Sequence, residues 1–425
     1  MTSPLHIGII GGGPSGLLAA LQSADTARQI GIPVDITICE RNQKAARKLL
    51  ITGAGQCNLT REATIDHMME HYGDHGKFLR DALNFLSPAQ TMVQFAAWGL
   101  QLITREDKKV FPASLRASDV LQTLLRMCDK NGITIQYDFR ITAIGGHDNR
   151  FLLESSAART LTVDRVIICT GGVSYPETGS TGDGYTLLGA LGHTLVPPHP
   201  ALCGITIKES TIGTCSGISC DPITISFTDT EGKHRRLHGP LLITRSGLSG
   251  PVILHAVRYM ASGTVISVCW LPDADGVIPS LDALYEQLKT RCADRGRVQL
   301  GTIIHELGIP LRLTQWILQD LHITGTKKAA ETNKKDLRSI AQALTAQQFT
   351  ISLHQSISRA MVTAGGVTLS QVDPKTMESK LVPRLYIAGE LLDIDGDTGG
   401  YNLQAAWSTG ALAGRSAVYS FTHER

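Results

Sequence analysis

Residues 7–16 read Ile-Gly-Ile-Ile-Gly-Gly-Gly-Pro-Ser-Gly, an apolar run that feeds a Gly-x-Gly-x-x-Gly at Gly11, Gly13 and Gly16. A helix-like Ala/Leu pattern follows from Leu17 to Leu21. Strand, glycine turn and helix in this order constrain the chain to an α/β unit that binds a dinucleotide. Gly11 permits the tight turn, Gly13 lets a pyrophosphate approach the backbone, and Gly16 lets the helix pack on the sheet. The helix start at Pro14 and Ser15 offers free N–H groups and a positive dipole end. Ser15 has a backbone N–H and a hydroxyl placed for phosphate contact, which is compatible with a plain N-cap role.

A second apolar run, Val34 to Cys39, ends in Glu40, 24 residues after Gly16. An acid about 20 residues downstream is expected to bind a ribose hydroxyl. Glu40 and the adjoining Arg41 suit the adenosine ribose of FAD. No second Gly-x-Gly-x-x-Gly with a matching strand and acid follows, which argues against a separate nicotinamide-binding Rossmann domain.

The 425 residues exceed one ordinary core, so two or three domains are expected. The formal net charge of +2 and the lack of a Lys/Arg run of five argue against a nucleic-acid partner. The nine cysteines include no Cys-x-x-Cys, and Cys39, Cys169 and Cys269 lie in apolar runs. That usage fits a reducing cytoplasm. No signal peptide precedes the first strand and no run of about 18 apolar residues occurs, so no membrane association is expected.

Helical spacing recurs over 77–86, after Ser87-Pro88 and over Ser118–Cys128. Strand patterns follow at Ile133–Tyr137, Arg140–Ile144, Phe151–Ser155 and Val163–Cys169. The step Val196-Pro197-Pro198-His199-Pro200 reads as a domain exit. Short β-branched segments from 202 to 271 predict a barrel or sandwich. Residues 279–345 are helical in pattern, strand character returns at Phe349–Leu353, and Leu385–Gly389 is a short buried strand before a helix near Asn402. His67, His71 and His75 recur at spacing four, read as a solvated face because Gly73 and Gly76 weaken a helix.

Four further blocks carry a specific resemblance: Lys48–Thr60, Thr170–Gly184, Thr244–Pro251 and Gly389–Gln404. With the first glycine loop, they make the chain similar, nearly end to end, to the FAD-dependent flavoproteins that include BaiN and YhiN, the NAD(P)/FAD-dependent oxidoreductases. The resemblance implies an α/β fold: a split Rossmann-like FAD-binding domain (1–196 and 362–425), an inserted β-barrel-like domain (197–278 and 346–361) and a small helical insert (279–345). It also implies a strand near Ile141 whose backbone serves the adenine. Two positions depart from the family pattern. Gln56 replaces a basic residue before Cys57-Asn58, and Arg61 replaces an Asn after Thr60. The loop loses one cation, for which Arg61 is the candidate replacement.

The expected cofactor-binding residues are Gly11, Gly13, Pro14, Ser15, Gly16, Glu40, Arg41, Lys48, Gly53, Cys57, Asn58, Ile141, Thr170, Gly171, Asp183, Gly389, Glu390, Gly399, Gly400, Asn402 and Leu403. Cys57 reads as structural or flavin-packing more readily than catalytic, since no second cysteine lies nearby in sequence. Asp183 either accepts from a ribityl or substrate hydroxyl or holds a turn. Gly399-Gly400 ahead of a helix would aim N–H groups at the flavin pyrimidine. Tyr175, Arg245 and Tyr401 are candidates for chemistry by virtue of lying in the specific blocks. No metal is expected. The expected activity is an FAD-dependent oxidoreductase passing a hydride or electron pair between flavin and a small-molecule substrate, as a reductase using NAD(P)H. The alternatives are an FAD-dependent oxidase of a small amine and a non-catalytic FAD-binding protein.

Overall fold

The computed structural model describes residues 3–147, 150–354 and 356–423. The chain forms two compact units, Met1–His199 with Ile357–Arg425, and Pro200–Ser356.

The first unit is built on a five-stranded parallel sheet. Its strands are β1 (Leu5–Ile10), β2 (Val34–Cys39), β3 (Thr134–Gln136), β4 (Arg165–Ile168) and β5 (Leu385–Ile387), in the order β5-β4-β1-β2-β3. The chain moves outward from β1 to β3, then returns to the other side of β1. The strand order therefore reverses between β1 and β4, where open α/β sheets bind ligands at the carboxyl ends of their strands. Ile7, Ile9, Ile38, Val166, Ile167 and Leu385 have no exposed surface, as expected of strands covered on both faces.

Two helices cover the sheet, α1 (Pro14–Ile30) and α2 (Tyr401–His423). Small residues let their backbones touch. A Cβ at Gly410 would lie 2.2 Å from the Ser15 carbonyl oxygen, and one at Gly414 would lie 2.2 Å from that of Ala19. Ser23 Oγ donates to the Gly414 carbonyl at 3.0 Å. The start of α2 is tied down by Gln404. Its amide nitrogen donates to Leu86 O, Thr91 Oγ1 and Ser408 Oγ at 2.9–3.0 Å, while its oxygen accepts from Thr60 Oγ1 at 2.6 Å.

The strand pattern Val163–Cys169 is two strands, Thr160–Val163 and β4, split at Asp164, whose carboxylate accepts the His6 N–H at 2.8 Å. The helix after Ser87-Pro88 spans Pro88–Ala97 and carries a reciprocal Ser87/Gln90 capping box.

The second unit is a closed barrel with the strand order Ile205–Ile207, Gly247–Ser249, His234–Ile243, Ser219–Thr228, Val265–Cys269 and Gln347–His354. The helical segment from Leu281 to Ala346 belongs to this same unit. Within it, Trp316 stacks on Phe349 of the barrel, with ring centroids 6.0 Å apart.

Candidate functional site

A cleft opens at the carboxyl ends of β1, β2, β4 and β5 in the first unit, enclosing about 1370 Å³ of space that is partly open to solvent. Gly11, at φ +104°, turns the chain out of β1 so closely that a Cβ would lie 2.5 Å from the Cys169 carbonyl oxygen. A Cβ on Gly13 would find nothing nearer than 4.0 Å, so this backbone faces the cleft unshielded. Glu40, at the end of β2, is buried. One carboxylate oxygen accepts the Gly12 N–H at 2.9 Å, and the other accepts the Asn42 N–H and side-chain amide at 2.8 Å each. A carboxylate has about four acceptor positions and three are used, so Oε2 keeps one for a ligand hydroxyl.

Next along the cleft, Arg41 and Arg140 converge on Asp183. Arg41 donates to Asp183 Oδ2 at 2.9 Å and also to Thr181 Oγ1. Arg140 makes a two-pronged contact, 2.9 Å to each carboxylate oxygen. Burial raises the Asp183 carboxyl, but Arg140, Arg41 and Thr181 outweigh it and hold the group below its usual value.

Toward β5, Lys48 Nζ contacts Glu390 Oε2 at 2.7 Å, Glu390 Oε1 at 2.9 Å and Ser174 Oγ at 2.6 Å. Glu390 Oε1 also accepts from Ser174 Oγ and from the Thr363 N–H, both at 2.9 Å. Three distant segments are thus joined at one partly buried ion pair. The opposite wall includes the first turn of α2, where Asn402 and Leu403 line the cleft. Asn402 fixes the preceding loop by accepting the Gly396 N–H at 2.8 Å and donating to the Gly396 carbonyl at 2.7 Å.

The cleft therefore brings together Gly11, Gly13, Pro14, Ser15, Glu40, Arg41, Lys48, Ile141, Thr170, Gly171, Asp183, Gly389, Glu390, Asn402 and Leu403. Gly16, Gly53, Cys57, Asn58, Gly399 and Gly400 do not line it. Gly16 packs α1 on the sheet, since its Cβ would lie 2.0 Å from the Gly11 carbonyl oxygen. With its amide turned to meet complementary partners, Asn58 binds backbone, donating to Thr60 O at 2.9 Å and Val110 O at 3.2 Å and accepting the Gly400 N–H at 3.0 Å. Cys57 is fully buried, and burial pushes its thiol up to about 12, against the opposing Thr52 hydrogen bond. Such a thiol is a small hydrophobe, not a nucleophile. Tyr175 adopts φ +53° at a turn outside the cleft, and Arg245 is an exposed residue of the second unit.

Asn42, Arg140 and Ser180 also line the cleft without having been singled out by motif. Gln56 accepts from Arg105 at 2.6 Å, and that guanidinium lies 3.9 Å over the Phe111 ring. Arg105, rather than Arg61, supplies the cation beside Gln56.

Of the three histidines expected to be solvated, His75 is exposed while His67 and His71 are partly buried. They pack beside Tyr401 and the acidic loop before it. His71 Nδ1 lies 2.8 Å from Asp397 Oδ2, and its ring stacks on Tyr401 at 4.4 Å. His67 Nε2 lies 3.3 Å from the Tyr401 hydroxyl, and His75 lies 4.0 Å from Asp393. Burial pushes the Tyr401 hydroxyl up to about 12, so it retains its proton at neutral pH.

The donor set of the cleft fits a flavin dinucleotide. The buried Thr170 Oγ1 in its wall has no hydrogen-bond partner within the protein. The first-turn N–H groups of α1 and α2 have no intrahelical acceptors and sit at the cleft. A parallel sheet with its ligand cleft at the strand reversal, a glycine turn after β1 and an acid after β2 define a dinucleotide-binding flavoprotein. The sequence matches the HI0933-like protein Rossmann domain family over residues 5–416, and the chain belongs to that family. It is an FAD-dependent oxidoreductase. It is 32% identical over 419 residues to a 3-dehydro-bile acid delta(4,6)-reductase of Clostridium scindens, covering 97% of this chain and 99% of that protein. It is 29% identical over 409 residues to a ribosomal RNA dihydrouridine synthase of Haemophilus influenzae, covering 94% and 95%. A similar fold occurs in the crystal structure of 3-ketosteroid delta1-dehydrogenase from Sterolibacterium denitrificans, with a TM-score of 0.50, 11% identity and coverage of 99% and 100%.

Proposed function

We propose that the chain is a reductase that saturates a carbon–carbon double bond conjugated with a carbonyl, with NAD(P)H as electron donor. One observation carries this reading. Two relatives matched along nearly their whole length are named for the same change on unrelated molecules. One name describes loss of ring unsaturation beside a 3-oxo group, and the other describes hydrogenation of a uracil ring. The shared chemistry is addition of a hydride and a proton to an electron-poor alkene, while NAD(P)H becomes NAD(P)⁺.

Bound FAD would supply the two-electron carrier between donor and alkene. In this reading Gly13, Pro14, Ser15 and Gly16 present the α1 terminus to the pyrophosphate. Glu40 accepts from the adenosine ribose, and the Ile141 backbone serves the adenine. Arg41, Arg140 and Asp183 close that end of the cleft. Lys48, Thr170, Gly171, Gly389 and Glu390 border the middle, and the N–H groups of Asn402 and Leu403 meet the flavin pyrimidine edge. In this reading donor and alkene use one site in turn, which predicts ping-pong kinetics.

The test is anaerobic. NADH or NADPH should bleach the oxidised flavin, and a steroid enone or a uridine derivative should restore its colour with release of the saturated product. Failure of both donors to bleach it, or recovery only on admitting oxygen, overturns the proposal.

A further inference from the structure

Arg61 and Lys109 lie directly opposite each other where the strand Thr60–Arg61 pairs antiparallel with Lys109–Pro112. Like charges facing each other across strands cost stability. A local rule broken in this way is expected where function compensates for it. Lys109 pairs with Asp107, 2.7 Å away, in a contact that solvent reaches. The Arg61 side chain has no hydrogen bond or ion pair among the described residues, although Asp107 lies within its electrostatic reach. Its guanidinium carbon instead lies 5.6 Å from the centroid of the Tyr401 ring.

That ring is held firmly. His71 stacks on it, Asp397 holds His71, and His67 meets its hydroxyl. Arg61 is thus a half-buried cation set against an aromatic ring that is itself packed on both histidines. A Cβ on Gly399 would lie 3.3 Å from Arg61 Nη1 and 3.7 Å from Lys109 Cε. Both side chains therefore border the glycine turn three residues ahead of the cleft-lining Asn402. The charged form of His67 is disfavoured, because burial, His71 and Arg61 all lower its pKa, against the opposing Glu70. Among the groups around Tyr401, Arg61 keeps its positive charge without a hydrogen-bonded acid.

We propose that Arg61, backed by Lys109, binds an anionic substituent of the substrate, a carboxylate or a phosphate ester, and so selects charged substrates over neutral ones. The planar fork of guanidinium donors matches either oxyanion. The assignment rests on the reductase reading only for the identity of the molecule that carries the charge.

The test is calorimetric titration of the FAD-loaded protein with two matched pairs of ligands. One pair is a steroid enone bearing a side-chain carboxylate and its methyl ester, and the other is uridine monophosphate and uridine. In at least one pair the charged member should bind about tenfold more tightly, an advantage that shrinks with added salt. Arg61→Gln should bring the ratio near one, and Arg61→Lys should retain part of it. Lys109→Gln, on the neighbouring strand, should reduce it by a smaller factor. The pair that discriminates identifies the carboxylate or the phosphate as the source. Absence of discrimination in both pairs, or an unchanged ratio in a folded, yellow Arg61→Gln protein, overturns the proposal. Charge preference without reduction of either ligand would sink the reductase reading and leave the role of Arg61 standing.

Discussion

Lys48 Nζ sits between both carboxylate oxygens of Glu390, 2.7 and 2.9 Å away, although 342 positions separate the two residues in the chain. The two side chains are 20% and 22% exposed, so removing one partner leaves the other charge only partly hydrated. Lys48→Met is expected to cost about 1–3 kcal/mol, below the range for fully buried pairs because solvent reaches this one. Glu390→Gln in the same protein should recover part of that loss. Thermal unfolding of the two single variants and the double variant measures the coupling, and additive losses would show that the pair contributes nothing.

Glu40 satisfies three donors from Gly12 and Asn42. Glu40→Ala leaves the Gly12 N–H without its acceptor, at a cost of about 1–3 kcal/mol. It also removes the acid proposed for the ribose. The variant is expected to purify with little flavin and to rebind added FAD at least about tenfold more weakly. Equal retention of flavin by variant and parent would remove Glu40 from the cofactor site.

All nine cysteines are buried and none forms a disulfide. Cys57→Ala should keep its turnover and lose about 1 kcal/mol of stability through the small void. The native protein should resist alkylation at Cys57 at mildly alkaline pH, because burial pushes its thiol up to about 12. Loss of turnover in a stable Cys57→Ala protein would restore the thiol to the mechanism.

The Asp183 carboxyl is held below its unfolded value of 3.8 by Arg140 and Arg41 despite the opposing effect of burial. The folded form therefore binds fewer protons than the unfolded form in that range. The stability this group adds is present above pH 3.8 and is lost as pH falls through the lower folded value. Asp183→Asn should thus be less stable than the parent at neutral pH, with the gap closing under acid. Chemical unfolding across a pH series checks this, and a gap that persists below the folded value would contradict it.

The sheet was legible because Ile7–Ile10 and Val34–Cys39 are short apolar runs punctuated by Gly11 and Glu40, and each signal is local. The two ends of the cleft were readable for the same reason. Asn42 and Arg140 escaped notice because what places them is tertiary: Asn42 reaches Thr178 O at 3.3 Å, and Arg140 reaches Asp183. The histidines were misread through Gly73 and Gly76. Those glycines do shorten the helix to Ile65–Glu70, but the turn that follows carries His75 toward Asp393. Gly399 and Gly400 look like cofactor glycines in sequence. At Gly400 the demand comes from the protein itself, because a Cβ there would lie 2.6 Å from the Thr60 carbonyl.

β5 and α2 are translated long after β4, with the whole barrel unit intervening. While the ribosome is still making that unit, α1 lacks the helix that its Ser15 and Ala19 backbone will touch, and one edge of the sheet is bare. A cleft lined from both parts of the chain is consequently complete only late in synthesis, and the bare sheet edge is open to pairing until α2 emerges and docks.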